Sequence, residues 1–212
     1  MSLKSEWREV STLLPENMSE RELDSLVEAC NRLSDSLQAV RDFTPLAGSP
    51  LDPARLYAVI RDYALRHRFA GRFLKRLLSI PETERTYPAS RLKVIHGDFH
   101  AKNLGFADGR LAAVFDFDKL TQGRACSDFV NCFGERYSLL RMNRAGRRRL
   151  AVAAKYAFGK CPRPREELVA AANVVRLTFA ARRLEKHPDS AWIVFDVLRR
   201  DRRIRGILKV IL

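Results

Sequence analysis

The stretch VIHGDFHAKNLGFADGRLAAVFDFD, residues 94–118, decides how the rest of the chain reads. Val94-Ile95 and residues 111–115 are short apolar runs of the kind that form buried strands, and Asp108-Gly109 between them is a hairpin-turn signal. Asp98, Asn103 and Asp116 then fall at strand ends, where side chains from separate strands converge on one point. Mg²⁺ takes one or two carboxylates together with phosphate and water. Phosphoryl transfer needs that ion and a carboxylate that orients the acceptor hydroxyl, because catalysis is almost entirely positioning and charge stabilisation. Asp116 and the Asn103 amide oxygen suit the metal, and Asp98 suits the hydroxyl.

Asp98 stands five residues before Asn103, the spacing of the protein-kinase catalytic loop H-R-D-x-x-x-x-N, and Asp116-Phe117-Asp118 stands where such kinases carry Asp-Phe-Gly. With Gly97 in place of the loop arginine, the segment from His96 to Asn103 followed by Val114 to Asp118 closely resembles the aminoglycoside phosphotransferase and choline kinase family, which shares the kinase-like fold. Asp128, twelve residues after Asp116, matches an Asp that opens a helix in that family. The resemblance implies ATP as phosphoryl donor, Mg²⁺ as cofactor and a small-molecule hydroxyl as acceptor. It makes Asp98 the catalytic residue and Asn103 and Asp116 the metal ligands, with Asp118 a candidate second metal or substrate contact. His96 and Asp128 become residues that hold the loop, and His100 and Lys102, inside it, are candidates for a phosphate or substrate contact. Val114 to Asp118 also resembles the nucleophile motif of haloacid-dehalogenase-like phosphatases, whose first Asp attacks phosphorus. That motif continues to Thr or Val where this chain has Leu120, and it would leave the upstream His-Gly-Asp a coincidence.

The 212 residues, 46% hydrophobic, suffice for one well-cored domain. No run reaches the roughly 20 apolar residues of a membrane span and no signal-peptide core opens the chain, so a cytoplasmic protein is the default expectation. Cys30, Cys126, Cys132 and Cys161 lack Cys-x-x-Cys spacing and read as reduced core residues. The net charge of +14 is unevenly placed: residues 1–140 carry 20 Lys+Arg against 19 Asp+Glu, and residues 141–212 carry 19 against 6. Such a field draws anions. No nucleic-acid motif accompanies it, so nucleic acid is not an expected partner, and a polycationic aminoglycoside is a poor electrostatic match. A neutral or anionic hydroxyl compound fits better. The alternative reading is a non-catalytic kinase-like module that binds an anionic partner through its basic helices.

Ser19-Glu20-Arg21-Glu22 is a capping box, and Leu23, Leu26, Cys30, Leu33, Leu37 and Val40 follow at helical spacing, which predicts one helix over residues 19–43. Asp52 and Pro53 open a second, predicted to run to about Ile80. Both are expected beneath the catalytic loop. Further helices are predicted over residues 128–141, from near Gly146 to the stop at Gly159-Lys160-Cys161-Pro162, over 165–186, and in two pieces over 191–198 and 204–212. Before His96 there is no Gly-x-Gly turn and no strand lysine to grip nucleotide phosphates. The expected fold class is therefore α+β, mainly α: the C-terminal lobe of a protein-kinase-like fold with a small β-hairpin carrying the catalytic loop. Residues 1–212 form a single domain in this reading, helical over 1–80, with the catalytic loop and hairpin over 92–118 and helices over 125–212, and with the N-terminal nucleotide lobe absent. Met1-Ser2-Leu3 reads as a cloning remnant.

Overall fold

A computed structural model describes residues 11–37, 52–84, 93–124, 126–139 and 142–212. The expected end of the first helix past Leu37 lies outside the described residues; so do Thr44-Pro45 and Gly48-Ser49-Pro50, which as turn-forming residues predict breaks after that helix, and residues 85–91 of a loop predicted over 81–91.

The fold is mainly helical, with two small antiparallel sheets. Helix α1 (Glu20–Leu37) starts at the capping box: Ser19 N–H donates to Glu22 Oε2 at 2.7 Å, and Glu22 N–H returns to Ser19 Oγ at 3.4 Å. Asp52 caps α2 (Pro53–Arg66) by accepting from Ala54 N–H at 3.0 Å. The expected single helix to Ile80 is two, because His67 leaves helical geometry (φ −115°, ψ 79°) and α3 (Arg68–Leu78) starts afresh. Two contacts hold this corner. His67 Nε2 lies 2.7 Å from the Pro188 carbonyl, and Gly71 lets α3 fold close against the Ala64 carbonyl.

Strand β1 (Lys93–Ile95) pairs with β4 (Thr121–Gly123), while β2 (Leu104–Ala107) pairs with β3 (Arg110–Val114). Asp108 (φ 50°) and Gly109 (φ 70°) make the tight turn between β2 and β3, since both central residues of a type I′ turn need positive φ. The polar run after Lys119 carried no strand signal, yet β4 forms there by closing on β1 across the site.

Four further helices follow: α4 (Ser127–Ser138), α5 (Arg144–Lys160), α6 (Arg165–Glu185) and α7 (Ile193–Ile211). Helix α5 begins two residues before Gly146, where Asn143 Oδ1 accepts the Gly146 N–H at 2.8 Å. Helix α7 is continuous through the expected break at Arg199–Arg203. Asp201 explains the continuity: it is buried and takes Arg176 Nε of α6 at 2.7 Å, so the charge run is a packed surface at its centre.

Two apolar clusters form the core. One gathers α1, α4, α5 and the hairpin around Leu26, Phe99, Phe106, Phe129 and Phe133, and the other gathers α2 and α3 around Ile60, Tyr63, Leu74 and Leu77. Helices α6 and α7 contribute to both, and the Arg176–Asp201 pair lies midway along them. Helix α1 touches β1 and β3, but α2 packs on α6 instead of beneath the catalytic loop.

Candidate active site

The chain leaves β1 at Ile95 into a loop that the backbone alone would not hold. Gly97 has φ +78°, and a Cβ there would collide with the Lys119 carbonyl oxygen. Only glycine allows so close an approach. The His96 imidazole is fully buried: Nδ1 accepts from the Asp98 N–H at 3.3 Å, while Nε2 lies 2.8 Å from the Phe115 carbonyl. A neutral ring protonated on Nε2 satisfies both. Phe99 meets the ring edge-on and Phe117 lies 4.8 Å from it, centre to centre.

Asp128, in the first turn of α4, accepts the His96 and Gly97 N–H groups through its two carboxylate oxygens, at 2.7 and 2.9 Å. Burial pushes its pKa up to about 6, against the opposing pull of those two donors. Between the ordinary value of 3.8 and about 6 the folded state therefore binds more protons than the unfolded chain. The stability contributed by this group is greatest below the lower value and is lost as pH rises through the upper one. Asp128→Asn is expected to cost about 1–3 kcal/mol, because an amide NH₂ then faces a backbone donor. In urea melts the wild type's lead over the variant should shrink from pH 4.5 to pH 7. A lead that grows over that range would refute the assignment.

Asp98 is buried apart from its rim, and its carboxylate pairs with the half-exposed Lys119 ammonium. His100 Nε2 lies 3.7 Å from the same oxygen, and His100 Nδ1 is buried with no hydrogen-bond partner among the described residues. Asn103 closes a 3-10 turn (Ala101–Asn103) and donates its amide N–H to the Asp98 carbonyl at 3.0 Å. Its own carbonyl accepts the Phe115 N–H at 2.9 Å, which sets Asp116 one residue beyond a hydrogen-bonded contact with Asn103. Asp116 takes the left-handed conformation (φ 61°, ψ 66°), which Asp tolerates better than most residues, and turns the chain from β3 into the 3-10 turn Phe117–Lys119.

The donor set fits Mg²⁺. Asn103 has its N–H committed, leaving Oδ1 for a cation, and Asp116 is exposed and makes no ion pair among the described residues. One carboxylate and one amide oxygen are what Mg²⁺ takes from a protein when phosphate and water complete its shell. Among the described residues no three His, Cys, Asp or Glu side chains form a closed cage.

The structure thus brings together Asp98, His100 and Lys119, and links Asn103 to both Asp98 and Phe115. Asp118 and Lys102 are exposed and bond to none of these. Sequence reasoning missed Lys119, which no local pattern marks; the Gly97–Lys119 approach is visible only once β1 and β4 pair. It also missed Asn131, whose Nδ2 donates to the Phe99 carbonyl at 3.4 Å and ties the loop to α4.

The chain matches the model of the phosphotransferase enzyme family over residues 4–168. No curated protein matches the sequence. Among solved structures, a choline/ethanolamine kinase family protein from Mesorhizobium loti is similar, at 14% identity and a TM-score of 0.48, over 96% of this chain and 70% of that one. A protein from Ralstonia eutropha, provisionally described as an aminoglycoside phosphotransferase, is similar at 16% identity and a TM-score of 0.46, over 94% of this chain and 67% of its own. With the family model covering the loop over residues 96–103, the Asp116 turn and α4, the chain belongs to the phosphotransferase enzyme family.

Proposed function

We propose that this chain carries the metal- and hydroxyl-handling half of an ATP-dependent small-molecule kinase, a C-terminal lobe of the kinase-like kind. The observation that supports this most is one loop, clamped by Asp128, that holds the Asp98 carboxylate beside Lys119 and ties Asn103 to the residue before Asp116.

Asp98 orients the acceptor hydroxyl and takes its proton as the acceptor oxygen bonds to the γ-phosphorus. The bond from that phosphorus to the β–γ bridging oxygen breaks, and ADP leaves. Lys119 neutralises Asp98 in the free protein, and its exposed ammonium is placed to counter phosphoryl charge. Asn103 and Asp116 hold Mg²⁺, which supplies charge neutralisation on the nucleotide phosphates when bound. His100 and Lys102 are candidate phosphate contacts, and Asp118 a candidate second metal or substrate contact. His96 and Asp128 fix the loop's backbone. The acceptor is a neutral or anionic hydroxyl compound, given the excess of cations after residue 140.

The test is nucleotide binding and transfer. Nucleotide binding is expected to be weak, because no Gly-x-Gly turn or strand lysine to grip the phosphates precedes His96. ATP with Mg²⁺ should still raise the melting temperature more than ATP with EDTA, and Asp116→Ala should weaken the metal-dependent part roughly 10- to 100-fold. Labelled γ-phosphate should pass to a sugar or sugar phosphate before an aminoglycoside. An ATP shift indifferent to Mg²⁺ would sink this reading, and selective phosphorylation of the aminoglycoside would overturn the acceptor class.

A further inference from the structure

Far along the chain from the catalytic loop, an apolar surface is left open to solvent. Trp192 is 72% exposed, Phe69 49%, Phe195 41% and Phe73 37%. The four rings touch one another, with centroids 5.2 to 6.3 Å apart, so they form one continuous patch contributed by α3 and the start of α7. An exposed cluster of this kind marks a docking surface.

The same face continues into cations. Along α7, Trp192, Phe195, Arg199 and Arg202 recur at helical spacing, and Arg72 lies three residues from Phe69 on α3. Arg199 and Arg202 are exposed and make no ion pair among the described residues. They open onto a hollow of about 590 Å³ that also holds Arg147, Arg203, Tyr137 and Met142 and no carboxylate. Burial and the charges of Arg147 and Arg199 hold the Arg203 guanidinium below its ordinary pKa, the mark of crowded cations lacking counter-charge. The acids of α7 are turned to the protein's own arginines: Asp196 pairs with Arg183 and Arg200, and Asp201 is buried against Arg176. Asp189 lies three residues before Trp192 along the chain.

We propose that this face docks the protein onto an anionic membrane surface, with the rings at the acyl boundary and Arg72, Arg199 and Arg202 on headgroup phosphates. From Phe195 to Arg202 is about 10 Å along the helix, the depth to which interfacial residues sink below the headgroups. Trp and Phe favour that boundary, and each nearby cation strengthens binding to an anionic leaflet. A second copy of the chain fits worse, because its identical arginine rim would repel this one. Single-stranded nucleic acid fits worse too, since rings packed on each other do not offer separate faces to successive bases.

Vesicle binding tests the proposal, with the full chain. In a Trp7→Phe background Trp192 is the remaining tryptophan, so its fluorescence reports on the patch. Vesicles of phosphatidylcholine with about 30% phosphatidylglycerol should sediment the protein and shift its emission to the blue, an effect lost in roughly 1 M salt and absent with phosphatidylcholine alone. The double variants W192A/F195A and R199E/R202E should each bind at least about tenfold more weakly, with far-UV dichroism and melting temperature retained. Equal binding to neutral vesicles, no binding at all, or undiminished binding by R199E/R202E would overturn the proposal. So would a wild-type dimer that W192A/F195A dissociates, or binding of a single-stranded oligonucleotide that anionic vesicles fail to compete.

Discussion

Asp98→Asn is expected to lower kcat for phosphoryl transfer by a factor of about 10²–10⁴, the range that a positioned proton acceptor contributes. The substitution keeps the shape of the side chain and removes its charge. The Asp98 carbonyl, which accepts from Asn103, belongs to the backbone and is unaffected, so the metal-binding side should stand. The KM for ATP should therefore change less than about threefold, while the chemical step collapses. Steady-state kinetics together with the Mg²⁺-dependent ATP shift separate the two effects. A variant that kept near wild-type kcat would remove Asp98 from the chemistry, and one that lost ATP binding in proportion would make it a metal ligand instead.

Gly97→Ala is expected to be strongly destabilising for the addition of a single methyl group. Its φ of +78° disfavours any L-residue by about 1–2 kcal/mol. The new Cβ would also press on the Lys119 carbonyl, which is backbone and held by the 3-10 turn and β4. Relief requires opening the β1–β4 ladder at Ile95↔Thr121 or rotating the two N–H groups away from Asp128. The combined cost should reach at least about 3 kcal/mol in a urea melt, and phosphoryl transfer should fall further than the loss of folded protein explains. Gly159→Ala is the control: a Cβ there meets nothing within 4 Å. It should be neutral or slightly stabilising, because alanine favours a helix. If the two variants melted alike, the close approach at Gly97 would not matter.

Much of the architecture was legible where local chemistry and long-range packing agree. The capping box at Ser19 and the Asp52-Pro53 pair specify helix starts by themselves, and Asp108-Gly109 specifies a turn, because each signal needs only a few adjacent residues. Reading failed where a distant partner decides. His67 breaks the second helix by contacting Pro188, more than a hundred residues away. Asp201 keeps α7 whole because Arg176 is waiting for it, whereas the run Arg199-Arg200-Asp201-Arg202-Arg203 looks like a solvated break. The site shows the same division. Spacing marks Asp98, Asn103, Asp116 and Asp128 as candidates, but Lys119 reaches Asp98 only through the pairing of β1 with β4.

The Asp128 clamp also sets an order of assembly. The β2–β3 hairpin closes through a two-residue turn, a local contact of the kind that forms within microseconds. The His96 and Gly97 amides must instead wait for a carboxylate 31 and 32 residues downstream, on a helix that is itself seated by α6 and α7. The loop over residues 96–103 is therefore expected to take its final shape late, after the helical body has docked. Recovery of phosphoryl transfer during refolding should lag behind recovery of helical dichroism, which makes activity a check on the completed core.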